Sequence, residues 1–210
     1  MARRRLIGVV IAAASLGAGG YFLLTGGKVP FVPTPDPPIT FTFEDVGVET
    51  ATTSDTKGSL PEKRAEKAAE QVGTVLNSLY TIAFVEDDYW SEYGDAWSLF
   101  EETAAQQAEA DLTTLTLGPE AHDLYETLTP GPSALTITIL TDERDRPMSA
   151  IAQVSFVAGT TLRDGTATTI TSEGSFFLRP ADEGWLIYGY RMDRDEQAAT
   201  PPSPSAEASP

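Results

Sequence analysis

From Ala134 onward the apolar residues of this chain recur at every second position, and that period limits the fold more than any other feature. The runs "ALTITIL", "SAIAQVSFVAGTTL", "TATTITSEGSFFLRP" and "GWLIYGYRM" each alternate as a half-buried strand does. Between them stand only "TDERDRP", "RDG" and "PADEG", rich in the residues that close turns. A crossover between parallel strands needs a dozen or more residues, so links this short leave one arrangement. Consecutive strands must be antiparallel neighbours, and the spacing predicts a four-stranded meander.

Ahead of the strands the period is 3.6. Ser59 and Glu62 have capping-box spacing, and Pro61 sits in the first turn, where its missing N–H costs nothing. Ala65, Ala68, Val72, Val75, Leu76, Leu79, Ile82 and Ala83 then form one stripe, predicting a long amphipathic helix over about 60–85. A second helix is expected after Gly94, with Asp95 as N-cap and Trp97, Phe100, Ala104 and Ala108 facing inward. It should end before "DLTTLTLGPEA", where β-branched residues take over and Gly118-Pro119 breaks the chain. "PEAHDLYETL" reads as a short third helix. Helices followed by a meander define an α+β domain, with one sheet face packed on the helices.

The flanks differ in composition. "MARRR", residues 1–5, precedes an uncharged run from Leu6 to Leu24. At 1.5 Å per residue that run spans roughly 28 Å, close to a bilayer core. Three arginines before it and Lys28 after it favour a cytoplasmic N-terminus, so 6–26 is expected to be a single-pass transmembrane signal anchor in the cell membrane. A cleaved secretory signal is the rival reading, because "AAASLGAGG" offers small residues at cleavage spacing. Residues 27–58 open with "GGKVPFVPTPDPPITF" and read as a Pro-rich extracytoplasmic linker, holding at most one short edge strand. A domain is expected over 59–195, followed by a disordered Pro/Ser/Ala tail over 196–210.

Charge and cysteine usage exclude several function classes. The chain carries 31 acids against 14 bases, a net charge of −17. Arg3, Arg4, Arg5 and Lys28 precede every acid, so the remainder is more acidic still and would repel phosphate backbones; no nucleic-acid partner is expected. The absence of cysteine removes disulfides, thiol nucleophiles and thiolate metal sites.

A long first helix, further short helices and an antiparallel sheet, with segments such as "DAWSLFEETAAQQAEADL" and "GWLIYGYRMDRD", resemble the nuclear transport factor 2-like superfamily. An N-terminal anchor and linker before such a domain resembles the Mce-associated membrane proteins of actinobacteria. It is also similar to the periplasmic subunits of type IV secretion and conjugation machines. The resemblance implies a cone-shaped domain, three helices packed on a curved four-stranded sheet. It implies a non-catalytic, membrane-anchored accessory or scaffold subunit of an envelope transport or secretion assembly, with a protein partner in the envelope, which could be a second copy. The alternative it implies is a small-ligand or isomerase-like module using the cone pocket.

No residue set supports a catalytic, cofactor or metal assignment. His122 is the only histidine, and its helical neighbour Asp123 points elsewhere, so the two are not a preformed dyad. "EDDYWSEYGDAW" lacks the spacing of a calcium loop, and one histidine cannot build a transition-metal site. Glu86, Asp87 and Asp88 are expected to solvate a corner between two helices. Glu173 is the one acid within a strand run and could pair across strands with Arg191. Phe156, Phe176, Phe177, Trp185, Tyr188 and Tyr190 could fill the cone, line a cavity or, where exposed together, mark a partner surface. Trp90 and Tyr93, if exposed, would be partner-contact residues.

Overall fold

The computed structural model describes residues 41–52, 62–90, 92–144, 146–182 and 184–198. The anchor and signal readings of 6–26, most of the linker, the Ser59 cap and residues 199–210 lie outside them. Among the described residues no helix is long and apolar enough to cross a membrane.

The architecture is α+β, built on one mixed sheet of six strands. Strand β1 (Asp45–Thr52) is followed by α1 (Glu62–Tyr80), whose last turn widens into a π-turn over Thr81–Val85. A single 3₁₀ turn, Asp87–Tyr89, leads to four short helices. These are α2 (Gly94–Trp97), α3 (Glu102–Ala110), α4 (Leu112–Leu115) and α5 (Ala121–Leu124). Strands β2 (Tyr125–Pro130), β3 (Ala134–Thr141), β4 (Pro147–Leu162), β5 (Ala167–Ala181) and β6 (Gly184–Ala198) follow.

The expected meander is present as β3-β4-β5-β6, antiparallel throughout. Two strands enlarge it. β1, within the expected linker, pairs in parallel with β3 and forms one edge, its register running from Asp45 opposite Ala134 to Thr52 opposite Thr141. β2, expected as helix, pairs with the far end of β4. Since β2 and β3 both lie antiparallel to β4 on the same side, they are two pieces of one strand line, interrupted at Gly131–Ser133. The ladder is carried across the gap: Gly131 N–H donates to the Val157 carbonyl at 2.8 Å, and Val157 N–H donates to Ser133 Oγ at 3.3 Å.

Alternation decides which face is buried. Leu135, Ile137 and Ile139 of β3, Ala150, Ala152, Val154 and Phe156 of β4, and Ile170, Phe176 and Leu178 of β5 point to the helices and are buried. From α1, Ala68, Val72, Leu76 and Leu79 meet them, as the helical stripe predicts. The buried Val, Leu, Ile and Phe side chains among these contribute about 1.5–3 kcal/mol each relative to exposure. Gly174 of β5 has φ +148° and so little clearance that an added Cβ would lie 2.0 Å from the Arg191 carbonyl oxygen.

The second helix is broken where a continuous one was expected. Asp95 lies inside the first turn of α2 rather than at its N-cap. Leu99–Glu101 leaves the helical path to pair with the edge of β6: Ile187 N–H donates to the Leu99 carbonyl at 2.9 Å, and Glu101 N–H donates to the Ile187 carbonyl at 2.8 Å. Backbone groups used by that rung are lost to a helix. Domain limits also widen at both ends. Phe41 and Phe43 belong to the core, and β6 runs to Ala198, past the expected limit at 195.

Candidate functional site

Three regions could carry function: the aromatic interior, a polar knot at one end of the sheet, and the outer sheet face.

The interior is packed with rings. Tyr80 of α1 stacks on Phe84 with centroids 5.3 Å apart and tilts against Phe156 at 5.0 Å. Phe41 and Phe43 close over them from the segment before β1, Phe43 edge-on to Tyr80 at 5.3 Å and Phe41 edge-on to Phe156 at 5.3 Å. The Tyr80 hydroxyl meets Ser172 Oγ at 3.0 Å. Burial drives the Tyr80 phenol well above its ordinary pKa, so it stays protonated at neutral pH.

The polar knot gathers on β6. Glu196 accepts from the Tyr125 hydroxyl at 2.7 Å, from Thr168 Oγ1 at 2.9 Å and from the Arg194 guanidinium at 3.1 Å. Arg194 also donates to the Tyr125 oxygen at 2.9 Å, and its Nε is buried with no hydrogen-bond partner. Burial first, then the hydrogen bond to Glu196, pushes the Tyr125 phenol up to about 12. Tyr190 donates to Asp111 at 2.7 Å, and its phenol too is raised, by burial and then by that carboxylate. Glu196 takes three donors, and the Tyr125 and Tyr190 phenols are held protonated. What it does is join α3, α4 and β2 to β6.

The outer face alternates with the core and is mostly Thr, Ser and Gln, with one apolar row. Ile151 stands opposite Phe177, and Phe177 lies 6.2 Å from Tyr188. Tyr188 is the extra residue of a bulge between Phe177 and Leu178, which turns its ring outward, 42% exposed. Arg179 sits 5.7 Å from the Tyr188 centroid and holds Glu101 through both carboxylate oxygens. That pair fixes the guanidinium over the ring.

The residues singled out from the sequence are dispersed. Trp90 and Tyr93 are 4% and 5% exposed, so the exposure that a contact role requires is absent. Trp90 Nε1 donates to the Phe84 carbonyl at 3.0 Å, and the Tyr93 hydroxyl donates to the Gly118 carbonyl at 2.9 Å. Burial raises the Tyr93 phenol to about 12. Asp87, Asp88, Glu92 and Asp95 are exposed around this corner, and Glu86 is half-buried. His122 is exposed on α5, its Nδ1 3.8 Å from Asp123 Oδ1. The Arg191–Glu173 pair does not form: Ser175 stands opposite Arg191 and Asp193 opposite Glu173, and Glu173 instead accepts from Ser155 Oγ at 3.2 Å. Of the sheet aromatics, Phe156, Phe176 and Trp185 are interior, while Phe177 and Tyr188 are outside. Sequence reasoning missed Phe41 and Phe43 as core and Tyr125, Arg194 and Glu196 as a knot. Parity along β6 could have placed Arg194 and Glu196 together, since they lie two apart on one face. Among the described residues no group of three His, Asp or Glu is placed to hold a metal ion.

Comparison with protein-family models, with curated proteins and with solved structures returned no match for this chain. The class that the geometry defines is therefore the fold alone, an α+β domain on a mixed six-stranded sheet.

Proposed function

We propose that the chain is a non-catalytic accessory or scaffold subunit of a bacterial envelope transport or secretion assembly. In this reading residues 6–26 anchor it in the cell membrane, and a nuclear transport factor 2-like domain works outside the cytoplasm on a protein partner. The observation that carries the reading is the Tyr188 bulge. It presents an aromatic ring beside Phe177 and Ile151 on an otherwise hydroxyl-rich face, with Arg179 fixed over it. Partly exposed Tyr and Arg are the residue types that anchor protein interfaces. The ring-packed interior also supports a surface-based role. The order of one long helix, short helices and a curved sheet supports the superfamily reading.

A photo-crosslinking amino acid in place of Tyr188, activated in intact cells, tests the partner. Adducts to a defined envelope protein are expected, with none from the same group placed at Thr166 on the β4–β5 turn. Equal labelling at both positions overturns the assignment of this face. The address is testable separately, because the chain has no cysteine of its own. A single cysteine at exposed Glu143 should react with a membrane-impermeant maleimide in whole cells, and labelling only after lysis overturns the extracytoplasmic reading.

A further inference from the structure

The sheet ends in two outer strands, β1 and β6, and the described residues pair with the outer side of only one of them. On β6, the Leu99–Glu101 segment takes the Ile187 N–H and carbonyl. On β1, no described residue pairs with the side that faces away from β3. In a parallel pair, alternate residues turn both N–H and C=O away from the neighbour, so β1 presents a row of open donors and acceptors. Proteins commonly blunt such an edge with lysine, proline or a bulge. β1 reads "DVGVETAT", and its register with β3 runs without a shift from Asp45 to Thr52, so it has none of the three. Val46 and Val48 stand beside Leu135 and Ile137, which face the helices. Asp45, Gly47 and Glu49 stand beside Ala134, Thr136 and Thr138 on the outer face. Val46 is 40% exposed and Val48 is half-buried, so the apolar layer stops short of a covering strand here. Asp45 and Glu49 are exposed, and neither joins an ion pair among the described residues.

We propose that β1 takes up an extended segment of a second protein as an added antiparallel strand, and that the segment reads basic–apolar–any–apolar–basic. Directly opposite residues of an antiparallel pair lie on one face. The two apolar residues therefore cover Val46 and Val48 and carry the apolar layer outward, while the basic ones meet Asp45 and Glu49 on the other face. Main-chain bonds supply the affinity of such an added strand, and its alternate side chains supply the selection. The chain's net charge of −17 also draws a basic segment toward it. Two other occupants fit worse. A second copy pairing β1 on β1 about Gly47 sets Asp45 of each copy opposite Glu49 of the other, and like charges directly opposite repel. A segment of the same chain lacks the pattern, because the only basic residues four apart are Lys63 and Lys67, which lie in α1. β1 is the edge opposite β6, which carries Tyr188, so this inference does not rest on the reading of that face and is tested separately from it.

The capped peptide TKVSVKT, added to the full chain, tests it. Saturating peptide is expected to slow hydrogen–deuterium exchange at alternate β1 amides at least tenfold, and the charge-reversed peptide TEVSVET should bind at least tenfold more weakly. Asp45→Lys/Glu49→Lys, which alters two exposed positions, should invert that preference. Should that variant not fold, the unaltered chain still decides. Of two TKVSVKT peptides N-methylated at alternate amides in opposite phase, one should lose at least tenfold in affinity and the other should bind as the parent does, because only one phase faces β1. No binding at millimolar peptide, equal binding of the two charge patterns, or equal affinity of the two methylated forms overturns the proposal. β1 amides whose protection rises with chain concentration in the absence of peptide assign the edge to a second copy, and overturn it too.

Discussion

The indole N–H of Trp90 donates to the main-chain carbonyl of Phe84 at 3.0 Å, inside the protein. Phe84 lies in the π-turn that ends α1, where carbonyls lose their regular helical donors. Leu117 N–H takes the neighbouring Ala83 carbonyl at 3.3 Å, so two tertiary donors terminate the helix. Trp90→Phe keeps most of the ring and removes the donor, leaving a buried carbonyl unpaired. It should cost about 1–3 kcal/mol in urea unfolding. Trp90→Ala adds a cavity and should cost about 3–5 kcal/mol. Equal losses in the two variants would mean that packing, and not the hydrogen bond, closes the helix.

Most of what was legible in the sequence was local. The β3–β6 meander follows from alternation and from links too short for any crossover, and α1 follows from its stripe. What escaped depends on distant partners. β1 reads "DVGVETAT", polar and glycine-bearing, because an edge strand buries little; only β3, far along the chain, makes it a strand. β2 was hidden because "AHDLYETL" passes from helix to strand at Tyr125 with no glycine or proline between. The break in the second helix is set by its pairing with Ile187, which no helical pattern encodes. Trp90 and Tyr93 shared a stretch with five acids and looked like a surface feature. Their polar atoms point inward to carbonyls while the acids turn out, a division that depends on tertiary packing.

Two glycines should respond in opposite directions to the same substitution. Gly174 has φ +148°, and an added Cβ would meet the Arg191 carbonyl oxygen at 2.0 Å and the Met192 sulfur at 2.8 Å. The Met192 Cα would also lie 2.9 Å away, and the Arg191–Met192 backbone cannot yield without breaking the β5–β6 ladder, so Gly174→Ala should lose more than about 4 kcal/mol or fail to fold. Gly73 lies inside α1 with nothing within 4 Å of an added Cβ. Gly73→Ala should therefore stabilise by about 0.5–1 kcal/mol, because alanine loses less backbone entropy in a helix. Thermal unfolding of both variants checks the pair, and a destabilised Gly73→Ala would show that the helix at this point is held too tightly for a methyl group.

Arg179 joins two elements that the hairpin alone would leave apart. It grips Glu101 in the break between α2 and α3 while covering the Tyr188 ring. Its side chain is more than half exposed and Tyr188 is partly exposed, so Tyr188→Ala should change stability by no more than about 0.5–1 kcal/mol. Yet the same variant should lose most of the partner adducts formed by a crosslinker at neighbouring Phe177. Chemical denaturation and crosslinking yield measured side by side decide this. A large stability loss would make the ring a structural element rather than a contact.

Four phenols tie the protein's alkaline limit to its fold. Tyr93 and Tyr125 are pushed up to about 12 by burial from an ordinary value of 10.0, and Tyr80 and Tyr190 are raised in the same direction. A group whose folded pKa lies above its unfolded one stabilises the fold fully below the unfolded value. That stability is lost as pH rises through the folded value. The window for Tyr93 and Tyr125 is therefore pH 10 to about 12. Below it these phenols leave stability flat; within it the unfolded chain releases their protons first, and the fold weakens. Phenolate absorbance should appear with the loss of sheet circular dichroism as pH rises. Tyr125→Phe removes one such proton and the bond to Glu196 together. It should lower stability at neutral pH and flatten the alkaline decline. Phenolate that forms in all four tyrosines near pH 10 with the sheet intact would show that these hydroxyls are open to solvent, contrary to the burial of Tyr80.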